Sequence, residues 1–306
     1  MASRLRQTVQ GWLEALDRQA ARAYVIGPSL ADAVRACRSL DAQDMLGTIC
    51  YWSAGSDGPQ AIAAECLRAV DAIHDARLKN SQLSVKAPPL HFSRKLLAQI
   101  VERAAERDVG LQFDSLSAED ADPTFELILD MLAFRCDVGC TLPGRWARSV
   151  ADADRAAELG LRVRIVKGQW ADPDARAPEA DPRAGFLRVV DRVAGRVRHV
   201  SVATHDAVLA RKALGRLLGA GTSCELELWF GLPIRPALRA GREAGVPVRL
   251  YVPYGHGSLP YAMWHVKTTP RVAWWACRDL YAAAKFRVSP SAGIRARYGF
   301  LRGAEP

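Results

Sequence analysis

The sequence predicts a single (β/α)8 TIM-like barrel, and two observations support that prediction. Short runs rich in β-branched residues alternate with longer amphipathic segments from residue 46 onward, as strands and helices do in a parallel α/β fold. There are eight such runs, and the length of 306 residues fits a barrel of about 250 residues with extra segments. The candidate strands are residues 46–51, 82–86, 111–115, 137–142, 161–167, 199–204, 224–228 and 248–252.

The barrel is predicted to form one domain, because no low-complexity linker divides the chain. We expect an N-terminal helical segment over residues 1–40, the barrel over 41–270, and a C-terminal helix and tail over 271–306. The Pro-rich stretch 168–185 then reads as an insertion between a strand and a helix. A doubly wound open sheet is the alternative. It would usually carry G-x-G-x-x-G after an early strand, and the only early candidate, G-S-D-G, does not match.

The composition is that of a globular protein, with 49% hydrophobic and 25% charged residues. The net charge of +9 comes mostly from arginines that are scattered among acids. Since no basic run interleaved with aromatics occurs, a solvated surface is favoured over a nucleic-acid partner.

The cellular setting is predicted from three further observations. The seven cysteines include no C-x-x-C pair, which favours buried thiols in a reducing compartment. The N-terminus lacks the apolar core of a signal peptide, and no apolar stretch reaches the ~20 residues of a membrane span. We therefore expect a cytoplasmic protein.

The candidate strands also carry polar residues on one face. Leu83 and Val85 suit the helix-facing side of their strand, which leaves Gln82, Ser84 and Lys86 facing the barrel interior. The same alternation directs eight further side chains inward: Gln112, Asp114, Arg162, Arg164, Glu225, Glu227, Arg249 and Tyr251.

Charged residues inside a barrel are costly unless they are paired or functional. Arg162 and Glu225 lie low in their strands, where an internal ion-pair network explains them. A second set lies near the carboxyl ends of the strands, where barrel enzymes place their chemistry: Lys86, Asp114, Arg164, Glu227 and Tyr251.

Several segments resemble, in order, motifs of the proline dehydrogenase family, whose members are FAD-dependent distorted (β/α)8 barrels that oxidise L-proline to 1-pyrroline-5-carboxylate. VRIVKGQW is similar to the family's R-L-V-K-G-A-Y, VATHD to A-T-H-N, CELELWFG to E-F-Q-x-L-x-G, and RLYVPYG to R-V-Y-V-P-x-G. SVK and QFD match the ends of its second and third strands. The resemblance covers about residues 20–285.

The resemblance implies a cofactor site. Arg164 takes the position of the family's arginine at flavin N5, and Lys167, with Gly168 beside it, lies along the cofactor. Thr204 and His205 are implied to receive the FAD phosphates through hydroxyl and backbone N–H groups. His205 could instead make a local hydrogen bond at the start of a helix.

The substrate side departs from the family's pattern. The family continues with Y-x-x-R-R-x-x-E, whose first arginine binds the substrate carboxylate and whose second arginine and glutamate help to hold FAD. Here Tyr261 is kept, Trp264 and His265 replace the arginines, and Thr268 replaces the glutamate. An indole cannot provide bidentate recognition of a carboxylate. We therefore expect a substrate other than free L-proline.

Further positions near the site have changed as well. Pro143 replaces a glutamine that hydrogen-bonds the flavin ring, and Arg145 takes a tyrosine position, which restores a cation to the mouth. Glu227 replaces the glutamine of E-F-Q, while Gln169 and Trp170 replace the Ala-Tyr of K-G-A-Y.

These observations lead to one expected function. The chain is predicted to be a flavin-dependent oxidoreductase that transfers hydride to FAD from an amine or cyclic amino-acid derivative, in a specialised biosynthetic pathway. His265 or Glu227 could manage the amine proton. The expected pocket residues are Lys86, Asp114, Arg145, Tyr251, Tyr261, Trp264 and His265.

Two alternatives remain at this stage. One is a flavin-free barrel that performs ring opening, hydrolysis or isomerisation with Asp114, Glu227 and His265 as acid and base. The other is a catalytically silent subunit that docks a partner through the aromatic segment 272–286. A metal centre is not expected, because the histidines show no H-x-H or H-x-x-x-H spacing. The electron acceptor stays open.

Overall fold

The computed structural model describes residues 25–168, 172 and 181–256. Within them, eight parallel strands close into a barrel in which each strand pairs with its neighbours in sequence and β1 pairs with β8. The strands are β1 (Leu46–Trp52), β2 (Ser81–Val85), β3 (Leu111–Phe113), β4 (Val138–Pro143), β5 (Arg162–Val166), β6 (Val200–Ala203), β7 (Cys224–Trp229) and β8 (Val248–Gly255).

One helix precedes the barrel and one follows each of the first seven strands. The helices are α1 (Leu30–Asp41), α2 (Pro59–Asp75), α3 (Arg94–Glu106), α4 (Ala121–Met131), α5 (Ser149–Glu158), α6 (Pro182–Val193), α7 (Ala207–Gly219) and α8 (Arg235–Glu243).

The predicted fold class is confirmed, and all eight predicted strands exist with ends that differ by at most three residues. The third strand is the shortest, because it ends at Phe113 and Asp114 already belongs to the loop. Helix α1 lies in the predicted N-terminal helical segment. Residues 1–24 and the predicted C-terminal helix and tail lie outside the described residues.

Local sequence signals explain where the helices begin. Ser29 precedes α1 and forms a capping box, in which its side chain accepts from the Asp32 N–H while the Asp32 carboxylate accepts from the Ser29 N–H. Pro59 occupies the first turn of α2, where its missing N–H costs nothing. Asp206 caps α7 by accepting from the N–H groups of Val208 and Leu209.

The hydrophobic core lies between the strands and the surrounding helices. Leu83 and Val85 are buried there, as the alternation predicts, against helix residues such as Leu97 and Val101. At about 25 cal/mol per Å² of apolar surface, this layer is the main source of stability.

Polar side chains fill the lower barrel interior. Arg249 forms a two-pronged ion pair with Glu225, with Nε 2.6 Å from Oε1, and its guanidinium also donates to the carbonyl of Gly47. Arg162 donates to the side chain of Gln82 and pairs with Asp137 at 2.8 Å. The prediction that Arg162 and Glu225 belong to an internal network is confirmed.

None of the helices in the described ranges is long and apolar enough to span a membrane. The six cysteines in those ranges are free thiols, five of them buried.

Candidate active site

The carboxyl ends of the strands hold a compact charged cluster centred on Arg164. From β5, the Arg164 guanidinium reaches past β6 to Glu227 on β7, with Nε 2.7 Å from Oε2 and an Nη 2.9 Å from Oε1. Its other Nη donates to Asp114 at 2.5 Å, just past β3. The Arg164 and Glu227 side chains are only 4% and 3% exposed. Because two carboxylates hold this buried guanidinium, its orientation is fixed.

Asp114 is also bound from its other side. The Tyr251 hydroxyl donates to Asp114 Oδ2 at 2.7 Å, and the Lys86 ammonium lies 3.4 Å from the same oxygen. Burial alone would raise the pKa of Asp114, but Lys86 and Arg164 outweigh burial and hold that pKa below its usual value. Asp114 is therefore an ionised carboxylate at neutral pH.

The pKa of Glu227 is shifted in the opposite direction to that of Asp114. Burial raises the pKa of Glu227 above its ordinary value, and Arg164 offsets only part of that rise. For Arg164 itself, burial lowers the pKa, while Glu227 and Asp114 outweigh burial and raise it, so the guanidinium stays charged. Both oxygens of Glu227 accept from Arg164, which favours an electrostatic role for this carboxylate.

An aromatic wall, formed by Trp52, Trp229 and Tyr251, lies beside this cluster on β1, β7 and β8. The rings of Trp52 and Trp229 meet edge to face at 5.7 Å, and those of Trp229 and Tyr251 lie 5.1 Å apart. The Arg164 guanidinium carbon lies 5.2 Å from the Tyr251 ring centre, within cation–π range. The two tryptophans end β1 and β7. Their position at strand ends was the signal that could have identified them, and the sequence reasoning did not use it.

Cys50 is a second residue that the sequence reasoning missed. Its sulfur lies 2.7 Å from the Lys86 ammonium, so Lys86 is held between a thiol from β1 and the Asp114 carboxylate. A buried cysteine in an apolar strand is usually a core residue. The signal that could have identified Cys50 is its spacing of two residues from Trp52, which places both side chains on the inward face of β1.

A cationic rim lies at the ends of β4 and β5. The backbone N–H of Arg145 donates to the carbonyl of Lys167 at 3.0 Å. Gly168 follows with φ +88°, and a Cβ placed on it would lie 3.0 Å from the Cβ atoms of both Arg145 and Pro143. Burial lowers the pKa of Lys167, and Asp206 opposes that effect from the next strand end. Only glycine fits this turn without strain.

The end of β6 is arranged differently from the phosphate site that the resemblance implies. The Asp206 N–H donates to the Thr204 hydroxyl, and the Asp206 carboxylate caps α7 and pairs with Arg183 at 2.6 Å. The His205 Nε2 accepts from the Trp229 N–H at 2.8 Å, which places the proton on Nδ1, 3.1 Å from the carbonyl of Pro233. Both partners belong to the end of β7 and the loop after it, so the ring does not make the local hydrogen bond at a helix start that was the alternative expectation. Its role toward phosphates stays a prediction.

Several predicted site residues cannot be placed. Tyr261, Trp264, His265 and Thr268, together with Gln169 and Trp170, lie outside the described residues, as does the predicted docking segment 272–286. Among the described residues, no group of three or more His, Cys, Asp or Glu side chains could hold a metal ion.

Comparison with known proteins gives this barrel its relatives. No protein-family model matches the chain. Two curated relatives match most of it: Proline dehydrogenase 1 of Bacillus subtilis is 24% identical over 271 residues, covering 83% of this chain and 88% of the relative. Proline dehydrogenase of Deinococcus radiodurans is 26% identical over 273 residues, covering 83% and 87%.

Solved structures show the same fold. The chain superposes on proline utilization A from Bdellovibrio bacteriovorus, inactivated by N-propargylglycine, with a TM-score of 0.71 and 15% identity over 94% of its length. Proline utilization A from Corynebacterium freiburgense gives 0.68 and 18% over 96%. The chain spans only 36% and 34% of those longer proteins.

A closed parallel barrel with a buried charged cluster at its strand ends belongs to the class of barrels built around a small-molecule site. Within that class, the chain is similar to proline dehydrogenases over most of its length, as the sequence motifs predict.

Proposed function

We propose that this protein is a flavin-dependent oxidoreductase that removes a hydride from the carbon beside a nitrogen, in an amine or cyclic amino-acid derivative other than free L-proline. The observation that supports this proposal most is the Arg164 cluster. The chain has kept an oriented, permanently charged guanidinium at the strand ends, in the position that the family's motif gives to its flavin arginine.

The residues at the ends of β4 and β5 fit a flavin cofactor. Gly168 has a positive φ and packs directly against Arg145 and Pro143, which holds the turn after β5 close to the end of β4. Arg164 supplies a fixed cation, and the half-buried Lys167 lies beside this turn. A bound flavin would supply the acceptor for the hydride. Arg164 and Lys167 would hold it, since a preorganised cation favours the reduced form.

The residues at the end of β6 are less well placed to hold the FAD phosphates. Thr204 and His205 are committed to Asp206, Trp229 and Pro233, and the Asp206 carboxylate occupies the start of α7. We propose that the phosphates are held mainly by Lys167 and Arg183, with Thr204 contributing through its hydroxyl proton.

The opposite side of the mouth would form the substrate pocket. A hydrogen bond joins Tyr251 to Asp114, and an ion pair joins Asp114 to Lys86. These contacts hold the Tyr251 ring in a fixed orientation at the base of the pocket. The wall of Trp52 and Trp229 excludes water and offers ring faces to an amine, which suits a cation before it loses its proton.

The proposal that free L-proline is not the substrate rests on sequence. Trp264 and His265 stand where the family's motif has its two arginines, and neither side chain forms the bidentate pair with a carboxylate that arginine does. Loss of a charged partner in a buried site costs a few kcal/mol of binding free energy. The biosynthetic setting and the cytoplasmic location stay predictions.

A substrate screen tests this function. Flavin-loaded protein is mixed under anaerobic conditions with L-proline and with cyclic and open-chain secondary amines, and the loss of flavin absorbance is followed. We expect an amine other than L-proline to reduce the flavin at least ten times faster. Fast reduction by L-proline would contradict the altered specificity. A protein that binds no FAD would favour the flavin-free alternative.

A further inference from the structure

Cys50 and Lys86 form an unusual pair at the barrel mouth. The Lys86 Nζ lies 2.7 Å from the Cys50 Sγ but 3.4 Å from Asp114 Oδ2. A hydrogen bond between an ammonium and a carboxylate is normally about 2.7–2.9 Å long. The ammonium therefore lies closer to a thiol than to an oxygen of the neighbouring anion.

The contact is also short for a sulfur atom. In the described ranges, the thiols of Cys50 and Cys136 approach backbone carbonyl oxygens only to 3.7 Å. Sulfur is larger than oxygen, yet 2.7 Å lies at the short end of the range of about 2.7–3.2 Å for N–H···O bonds. A nitrogen and a sulfur that are both bonded to one oxygen atom have a comparable separation.

Strand register holds the two side chains together. In the parallel pair of β1 and β2, Cys50 lies opposite Ser84, so that Lys86 follows two residues nearer the mouth on the same inward face. Cys50 is fully buried, and the Lys86 side chain is 17% exposed. This burial excludes bulky reactants but leaves the amine open to a molecule as small as dioxygen.

We propose that Cys50 and Lys86 are a modification site, at which dioxygen joins Sγ to Nζ through one bridging oxygen atom. After the ammonium releases a proton to solvent, the S–H bond and one N–H bond break. One oxygen atom forms the S–O and O–N bonds of the bridge, and the other leaves as water. Sulfur and nitrogen each give up two electrons, and dioxygen accepts all four.

The bridge changes the charge of the mouth. A nitrogen bonded to oxygen is a weak base, so the bridged Lys86 is neutral and no longer balances Asp114, whose remaining cation in the cluster is Arg164. Two dithiol molecules supply the four electrons that restore the thiol and the amine and release water. The site thus makes activity depend on reducing conditions. That consequence rests on the proposed function, whereas the bridge itself does not.

Peptide mass spectrometry tests the bridge in the full-length protein. The protein is exposed to air, one portion is then treated with dithiothreitol without oxygen, and both portions are digested with trypsin. We expect the oxidised portion to contain peptides 39–68 and 80–94 joined, with no cleavage after Lys86. The joined mass should exceed the sum of the two peptides by about 14 Da, for one oxygen gained and two hydrogens lost. Dithiothreitol should separate them.

Cys66→Ala is the matched control, because Cys66 is also buried and lies in the same tryptic peptide as Cys50. Cys66→Ala should keep the joined peptides, and Cys50→Ala should lose them. A joined mass about 2 Da below the sum would indicate a direct S–N bond and overturn the proposal. An oxidised Cys50 without a link to Lys86, or an unmodified pair after exposure to air, would also overturn it.

The regulatory consequence has its own measurement. Flavin reduction by the amine substrate is timed in air-exposed parent protein before and after anaerobic treatment with dithiothreitol. We expect at least a fivefold rise in rate, and no rise in Cys50→Ala. Equal rates in the parent protein would overturn the regulatory role. Because the mass measurement needs neither flavin nor turnover, a failure of the proposed function is distinguishable from a failure of the bridge.

Discussion

Arg164 and Glu227 form a buried two-pronged ion pair between β5 and β7, with donor–acceptor distances of 2.7 and 2.9 Å. Together with Asp114 and Lys86 they make a cluster of two cations and two anions, so the most buried part of the mouth carries no net charge. Glu227 stands where the family's motif has a neutral glutamine, and this single carboxylate changes the electrostatics that Arg164 presents to a bound flavin.

Glu227→Gln is expected to raise the reduction potential of bound FAD. Removing a buried negative charge leaves Arg164 less neutralised, and a cation stabilises the reduced flavin. At an effective dielectric of about 20, a unit charge on a neighbouring group is worth up to about 4 kcal/mol. The two-electron potential should therefore rise by tens of millivolts. The measurement is a dye-coupled redox titration, with Glu243→Gln on the exposed part of α8 as the control. An unchanged potential would show that Arg164 does not act on the flavin.

Tyr251→Phe is expected to lower activity and stability, because it removes the hydroxyl that binds Asp114 while keeping the ring. A hydrogen bond to a charged group contributes about 2 kcal/mol. The pKa of Asp114 is lowered in the folded protein, so its stabilising contribution exists above its unfolded pKa of about 3.9 and disappears as the pH falls. The stability loss should therefore be larger at pH 7 than at pH 3, in urea titrations at both pH values.

Tyr254→Phe is the matched control for that variant. Its hydroxyl also donates to a carboxylate, that of Glu65 on α2, at 2.9 Å, but it lies outside the barrel interior. We expect a comparable stability loss with full activity. Equal activity losses in the two tyrosine variants would contradict a specific role for Tyr251.

Gly168→Ala is expected to impair FAD binding. The residue has φ +88°, and the new methyl group would press on the Cβ atoms of Arg145 and Pro143 at 3.0 Å. Gly160→Ala is the control, since it has a similar φ of +64° with open space around it. Backbone strain should cost both variants about 1 kcal/mol of stability. Only Gly168→Ala should lose FAD affinity, measured by fluorescence titration, and equal affinities would contradict a role for the Gly168 turn in FAD binding.

The lower network predicts an acid-sensitive core. Burial would raise the pKa of Glu225, but Arg249 and His199 outweigh burial and hold that pKa well below its usual range. Its contribution is therefore present above the unfolded pKa of about 4.3 and is lost as the pH falls. Glu225→Gln leaves Arg249 buried without its charged partner and should lower the free energy of unfolding by about 3–5 kcal/mol at pH 7.

The double variant Glu225→Gln/Arg249→Met tests whether the unpaired charge of Arg249 accounts for the loss of stability. It should recover much of the lost stability, because a well-packed apolar residue can replace a buried charge. Thermal melts at pH 7 and pH 4 should also show a shallower acid dependence than the parent protein. A double variant as unstable as Glu225→Gln alone would contradict the ion-pair explanation.

The strand alternation predicted which side chains point inward but not their partners. Period-two spacing places Arg164 and Glu227 in the interior, yet it does not show that they pair, because the pairing depends on the registers of β5 and β7 against β6, which lies between them. Trp52 and Trp229 were missed since an aromatic in an apolar run reads as core. The resemblance implies a phosphate-binding role for His205, but it does not indicate that Trp229 and Pro233 form hydrogen bonds with the two ring nitrogens.

The most direct test of the central claim is the absorption spectrum of the purified protein, followed by titration with FAD and with an Arg164→Gln variant as comparison. We expect bound flavin, either as purified or after titration, and much weaker binding in the variant. A parent protein that is colourless and does not take up added FAD would contradict the proposed function.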